Sequence, residues 1–225
     1  MSAKKSSPTT KKKITKNDVI ALYMEYVLEQ EHFPKSVYKF CNETKIEEPT
    51  FYQFFGSLEG LQKTIWDTFF VMTMDLSHKN KEYENYSAKE KVLTFFYTFF
   101  ELLTANRSYV LFTLQYHQGL EQLKNISQLR NLRGHIKEFA SELIQEENDT
   151  KQFKFTKNPV QLFSEGTWLQ FLFLLKFWMK DDSIGFEKTD VAIEKSVNTI
   201  FDVFDTTPLD NVIDFGKFLW QEAMN

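Results

Sequence analysis

The sequence predicts an all-α protein, with an N-terminal three-helix helix-turn-helix unit followed by a larger helical domain. Three observations carry this. The 225 residues include only 7 Gly and 5 Pro, too few turn formers for an all-β chain, which needs a turn signal every ten residues or so. Apolar residues recur at three- and four-residue spacing in one segment after another. Helix-start signals, a Ser or Thr followed three residues later by an acid, precede several of those segments.

The elements follow in order. Residues 1–13 are Lys, Ser, Thr and Pro with almost nothing apolar, and read as a disordered basic arm. Thr15 with Asp18 starts a helix whose face is Val19, Leu22, Tyr23, Tyr26 and Val27, ending near Gln30. Pro34 and Ser36 open a short second helix with Val37, Phe40 and Cys41 inward. Pro49 sits where a first helical turn tolerates proline, and Phe51 to Phe55 make a third helix that Gly56 stops. Ser57 caps a fourth, facing inward through Leu61, Ile65, Phe69, Met72 and Leu76. Ser87 and Glu90 form a capping box before a fifth, Val92 to Leu103. Asn106 starts a sixth that ends near Gly119, and a seventh runs from about Leu123 to Glu146. Residues 148–158 read as a polar loop. Asn158-Pro159 opens an eighth helix to Lys180–Asp182, Gly185 lies in the next turn, and a ninth runs from about Thr189 to Asp205. Thr207-Pro208 opens a last one through Val212, Phe215, Phe218 and Leu219. The expected domains are 1–13 (arm), 14–61 (helix-turn-helix) and 62–225 (larger helical domain).

Composition narrows the function. One cysteine, Cys41, excludes a disulfide framework within the chain. With no secretory signal at the N-terminus, it points to the cytoplasm. The greasiest run, Trp168 to Met179, is short and carries Lys176, so no membrane partner is expected. The net charge of −4 conceals an asymmetry. Lys4, Lys5, Lys11, Lys12, Lys13 and Lys16 stand without an acid, whereas residues 17–60 hold three lysines against eight acids. No nucleophile constellation, Gly-rich phosphate loop or metal-ligand spacing occurs. His32, His78, His117 and His135 are scattered, and Asp181-Asp182 and Glu146-Glu147 read as helix ends. The expectation is no enzyme and no cofactor.

The stretch Thr50-Phe51-Tyr52-Gln53-Phe54-Phe55-Gly56-Ser57-Leu58-Glu59-Gly60-Leu61, with Phe33, Ser36-Val37 and Ile46 upstream, resembles the DNA-binding unit of the tetracycline-repressor (TetR) family. The likeness covers residues 17–61. It departs from the family pattern at Lys45, where the family has a turn glycine, and at Leu58, where it has lysine; Glu47, Glu48 and Pro49 precede Thr50. The resemblance implies a homodimeric regulator of a double-stranded DNA operator. The side chains suit that role. Tyr52 and Thr50 can give hydroxyls to phosphate, and Gln53 can read adenine through its amide. Ser36 can place a helix start against a phosphate. Lys45 and the arm lysines Lys11, Lys12 and Lys13 add sequence-independent attraction.

The same resemblance implies a C-terminal pocket for an apolar small-molecule effector and a dimer built on the last long helices. The load of 24 Phe suits a pocket. Its candidate lining is Phe96, Phe100, Phe112, Trp168 and Phe171, with Tyr116 and His117 to orient a polar end. The eighth helix is apolar on nearly every side, which suggests a subunit partner beside the ninth (Val191, Val197, Ile200, Phe201, Phe204). An alternative is a ligand- or protein-binding helical dimer that keeps the fold with weak or lost DNA binding, as the acidic charge of residues 17–60 would favour. A third is a helical lipid carrier.

Overall fold

The structure, a computed structural model, describes residues 13–115, 126–150 and 159–206. These contain nine α-helices and no strand: α1 (Lys16–Gln30), α2 (Val37–Thr44), α3 (Glu48–Phe54), α4 (Leu58–His78), α5 (Ala88–Ala105), α6 (Arg107–Leu114), α7 (Arg130–Thr150), α8 (Val160–Lys180) and α9 (Glu187–Thr206). The protein is all-α, as the sequence predicts. Two starts are capping boxes. Thr15 Oγ1 accepts from the Asp18 N–H, and the Asp18 carboxylate accepts from the Thr15 N–H at 2.8 Å. Ser87 and Glu90 do the same at the head of α5. Each cap satisfies two backbone donors that a helix start leaves without a partner.

The chain divides between Leu61 and Gln62 into two compact units. In the first, Phe40 of α2 is the hub. Its ring meets Tyr23 and Tyr26 of α1 at 5.6 and 5.8 Å, and Phe51 of α3 at 6.0 Å, all edge to face. Ring pairs in this geometry add about 1 kcal/mol each to the area they bury. One buried side chain therefore ties three short helices together, none of which is long enough to be stable alone.

In the second unit α7 packs on α8, α9 on α5 and α8, and α5 on α7. Its core is aromatic. Phe95 touches Phe139 at 5.0 Å, Phe99 meets Phe171 edge-on at 5.4 Å, and Phe100 reaches both Phe171 and Trp178. The Trp178 indole N–H donates to Thr104 Oγ1 at 3.0 Å, so the polar end of the largest core ring is satisfied. Arg107 closes the end of α8. Its guanidinium lies 4.4 Å from both the Trp178 and Phe186 rings and donates to the carbonyls of Trp178, Met179 and Asp181. A cation at a helix C-terminus, sandwiched by rings, meets the carbonyl dipoles and the ring quadrupoles together.

The structure corrects several expectations. The seventh helix starts at Arg130 rather than near Leu123. Ser127–Leu129 form a 3₁₀ turn that points Gln128 inward, where it accepts the Trp66 indole N–H at 3.2 Å. Residues 148–150 continue α7 instead of forming a loop, and Asn148 in that last turn is buried. On α4, helical spacing places Met72 and Leu76 inward, but both are exposed; the buried face turns instead through Trp66, Thr73 and Ser77. The two hydroxyls donate back to the carbonyls of Phe69 and Thr73, which lets them be buried. The last helix, expected from Thr207, lies outside the described residues, as do the side chain of Phe204 and most of the arm.

Asp181 joins α8 to α9. Its carboxylate accepts from the N–H and hydroxyl of Ser183 and from the N–H and hydroxyl of Thr189, at 2.6–2.9 Å. Burial would raise its pKa, but these donors outweigh it and hold the carboxyl at about 2. Replacing it, Asp181→Asn, should cost about 2 kcal/mol near neutral pH. Because the folded pKa is depressed below the ordinary 3.8, the contribution is full above about pH 4 and fades as pH falls towards 2. Urea denaturation of both proteins across this range should show a constant gap that closes only at the acid end.

Candidate nucleic-acid interface

The helix-turn-helix begins with Ser36, whose Oγ accepts from the Lys39 N–H at 3.2 Å and so starts α2. The helix ends at Thr44, and Lys45 takes φ 61° and ψ 28°, the left-handed conformation for which glycine is the usual residue. The following Ile46 N–H donates to the Cys41 carbonyl at 3.0 Å, and the Ile46 side chain is buried. These two facts turn the chain sharply from α2 to α3. Lys45 is a candidate DNA residue by sequence. Its ammonium donates to the Asn42 carbonyl at 3.1 Å, at the C-terminal end of α2, where a cation is favoured.

The carbonyl of Glu47 accepts from the N–H groups of Thr50 and Phe51 and begins α3. Phe51 is fully buried against Phe40. The opposite face of the helix is exposed and carries Pro49, Tyr52 and Gln53, with Thr50 half-buried at its edge. Tyr52 is 53% exposed, and its ring rests edge-on against Phe51 at 5.5 Å, a contact that orients it without hiding its hydroxyl. Of the candidate DNA residues, Ser36, Lys45, Thr50, Tyr52, Gln53 and Lys13 are therefore in the described structure, all but Thr50 exposed. Lys11 and Lys12 lie outside the described residues.

The electrostatics of this face are mixed. α3 carries no Lys or Arg, and Glu47 is exposed. Glu48 is half-buried, and its charge, after burial itself, helps push the Cys41 thiol pKa up. Lys35 and Lys39 are exposed at the start of α2. Tyr38, beside them, is the most exposed aromatic residue of the unit, at 66%. The motif does not single it out. The signal that could find it is its place two residues after the Ser36 cap, where Val37 and Phe40 take the inward direction and leave Tyr38 outward. Chemically the face offers hydroxyls, one amide, one carboxylate and flanking ammonium groups, a set suited to hydrogen bonding with a polar surface.

In the second unit, Phe100, Trp168 and Phe171 are brought together. Phe171 stacks on Trp168 at 5.3 Å and lies 6.1 Å from Phe100. Phe96 is fully buried beside Phe95, and Phe112 is half-buried. Tyr116 and His117 lie outside the described residues. The apolar girth of α8 resolves into two faces. Phe171, Leu172, Leu174, Leu175 and Trp178 are buried, while Leu169, Phe173 and Phe177, four residues apart, are exposed. Val191 of α9 is exposed too. Beside Phe173 and Phe177 lies a cleft of 450 Å³ flanked by Lys176, Lys180 and Lys188 and by Asp181 and Asp182, the last paired with Lys188 at 2.9 Å. Among the described residues, no helix is long and apolar enough to cross a membrane.

Comparison with known proteins agrees with this architecture. A family model described as tetracyclin repressor-like, C-terminal domain, matches residues 91–219, more than half of the chain. A crystal structure assigned to the TetR-family transcriptional regulators, from Syntrophomonas wolfei str. Goettingen, superposes with a TM-score of 0.63. It covers 86% of this chain and 96% of its own, at 14% identity, a level that speaks for the fold alone. No curated protein matches the chain.

The left-handed Lys45 yields a test of the turn. A side chain in this conformation costs about 1 kcal/mol relative to glycine. Lys45→Gly should therefore raise stability by up to about 1 kcal/mol, part of it offset by the extra freedom of the unfolded chain. Thermal denaturation followed by circular dichroism reads the shift. A destabilised variant would mean that the hydrogen bond from Lys45 to Asn42 matters more than the backbone.

Proposed function

We propose that this chain, which belongs to the tetracycline-repressor family of transcriptional regulators, binds a palindromic duplex operator as a homodimer through α2 and α3. An apolar small molecule held in the C-terminal unit then releases it. The observation that carries the DNA reading is the outward face of α3. Tyr52 and Gln53 are exposed beside a turn that Lys45 and Ile46 make sharp, while Phe51 anchors the same helix from within. An exposed Tyr hydroxyl suits a phosphate, and an exposed Gln amide suits the N6 and N7 of adenine. Ser36, Thr50 and the arm lysines Lys11, Lys12 and Lys13 are assigned supporting bonds to the DNA backbone. Lys45 is given a smaller share, since its ammonium is engaged with its own helix.

The dimer reading rests on the exposed stripe of Leu169, Phe173 and Phe177 on α8 beside Val191 of α9. Apolar side chains at four-residue spacing on two neighbouring helices suit a two-fold interface, in which the same patch meets itself. The effector site is assigned to the region of Phe96, Phe100, Phe112, Trp168 and Phe171, with Tyr116 and His117, and its ligand class is apolar. No enzymatic step and no cofactor enters this reading, and the cytoplasm is its setting.

The second reading, a ligand- or protein-binding helical dimer with weak or lost DNA binding, draws support from one observation. Glu47 is exposed immediately before α3, and the helix itself carries no cation, so a polyanion gains no direct attraction from it.

Two measurements separate these readings. In a binding selection on genomic fragments, the first expects a palindromic site. Deleting residues 1–13 should weaken binding and flatten its salt dependence, by about 0.9 in the log–log slope for each phosphate that the arm no longer neutralises. Tyr52→Phe should weaken binding without lowering the melting temperature. A selection with no enriched site supports the second reading. For the dimer, Phe173→Glu with Phe177→Glu should turn a dimer into a folded monomer in analytical ultracentrifugation. If both proteins sediment alike, the interface lies elsewhere.

A further inference from the structure

We propose that Glu47 is a specificity-determining residue that selects cytosine in the operator. The inference rests on the DNA-binding reading above and goes further, because it names the base that this helix accepts.

Glu47 immediately precedes α3, in extended backbone with φ −73° and ψ 133°. At that position Ser, Thr, Asp or Asn turns its side chain back to cap the helix, a role for which Glu is not a preferred residue. Glu47 makes no side-chain cap bond; its backbone carbonyl alone starts the helix. The carboxylate is exposed, on the unit that also exposes Pro49, Tyr52 and Gln53. Its neighbour Glu48 differs, since it is half-buried and its charge acts on the Cys41 thiol. No lysine or arginine occurs in α3 to neutralise Glu47, and the lysine two residues before it donates to Asn42.

A carboxylate can only accept hydrogen bonds. In the major groove the donors are the N4 amino group of cytosine and the N6 amino group of adenine. On adenine that donor lies between two acceptors, N7 of the same base and O4 of the paired thymine. On cytosine it has an acceptor on one side only, O6 of guanine, and a C5–H on the other. A carboxylate placed against the wrong edge meets an acceptor and repels it. Cytosine is therefore the base that Glu47 tolerates best, while Gln53 takes adenine with one donor and one acceptor. Guanine on the strand that α3 reads would need a donor pair from Arg or Lys, which this helix lacks. On this reading Glu47 adds discrimination and subtracts affinity, and the lysines outside α3 supply the attraction.

The test is a site selection from random duplexes with the wild-type protein, Glu47→Gln and Glu47→Ala, after melting curves establish that all three fold alike. The wild type should enrich one cytosine per half-site. Glu47→Gln should move that position to adenine, and Glu47→Ala should leave it unselected. Placing N4-methylcytosine there, which removes the outward amino hydrogen, should weaken the wild type about tenfold or more and leave Glu47→Ala unchanged. The inference is overturned if Glu47→Ala keeps the same cytosine, or if it tightens binding to every sequence equally, since the carboxylate would then act by plain repulsion. If the wild type enriches no site at all, the DNA-binding reading itself fails and takes this inference with it.

Discussion

The ring contacts between α5 and α8 constrain the rest of the second unit. Phe171 is pinned by Phe99, Phe100 and Trp168, and Trp178 by Phe100 and its bond to Thr104. With these two positions facing inward, helical geometry leaves no choice for the others. Leu172, Leu174 and Leu175 follow them into the core, and Leu169, Phe173 and Phe177 must face out. The outward stripe is thus a consequence of the core register rather than an independent feature. Arg107 fixes where α8 stops and Asp181 fixes how α9 starts, so the C-terminal end of that face is held by buried or half-buried polar groups.

The first unit divides its labour by side-chain direction. Phe40 and Phe51 hold α1, α2 and α3 together from inside. The opposite face of α3 is largely exposed, with Pro49, Tyr52 and Gln53 towards solvent, so core packing constrains its residues less than it constrains Phe51. That face has polar acceptors and donors but no cation. Attraction to a polyanion must then come from lysines elsewhere, and hydrogen-bond pattern from α3. In most DNA-binding surfaces the two jobs overlap in the same arginines; under the proposed DNA-binding function they would fall to different segments.

Most helices are legible in the sequence because their signals are local. Thr15 with Asp18, Ser87 with Glu90, and Ser36 before Val37 each fix a helix start through bonds three residues long. What is not legible depends on long-range partners. Gln128 looks like an ordinary helical residue until Trp66, 62 positions away, supplies the indole N–H that draws it inward. Residues 148–150 are polar by composition, yet they are helical and Asn148 among them is buried. Met72 and Leu76 look like core at helical spacing, yet Thr73 and Ser77 are buried in their place, since hydroxyls can return their hydrogen bond to their own helix. In the candidate site, Tyr52 and Gln53 are readable from a motif, whereas Tyr38 and the uncapped Glu47 emerge only once the exposed side of each helix is known.

Cys41 has one more consequence. It is the chain's single cysteine, it is buried, and burial with the nearby charge of Glu48 pushes its thiol pKa up. A thiol so placed holds little thiolate, the form that oxidants and alkylating reagents attack. Chemistry reaches this sulfur only during the moments when α2 lifts from its neighbours. The protein thus carries a built-in clock: the rate at which one sulfur is labelled counts those openings, and does so without any foreign probe placed in the three helices.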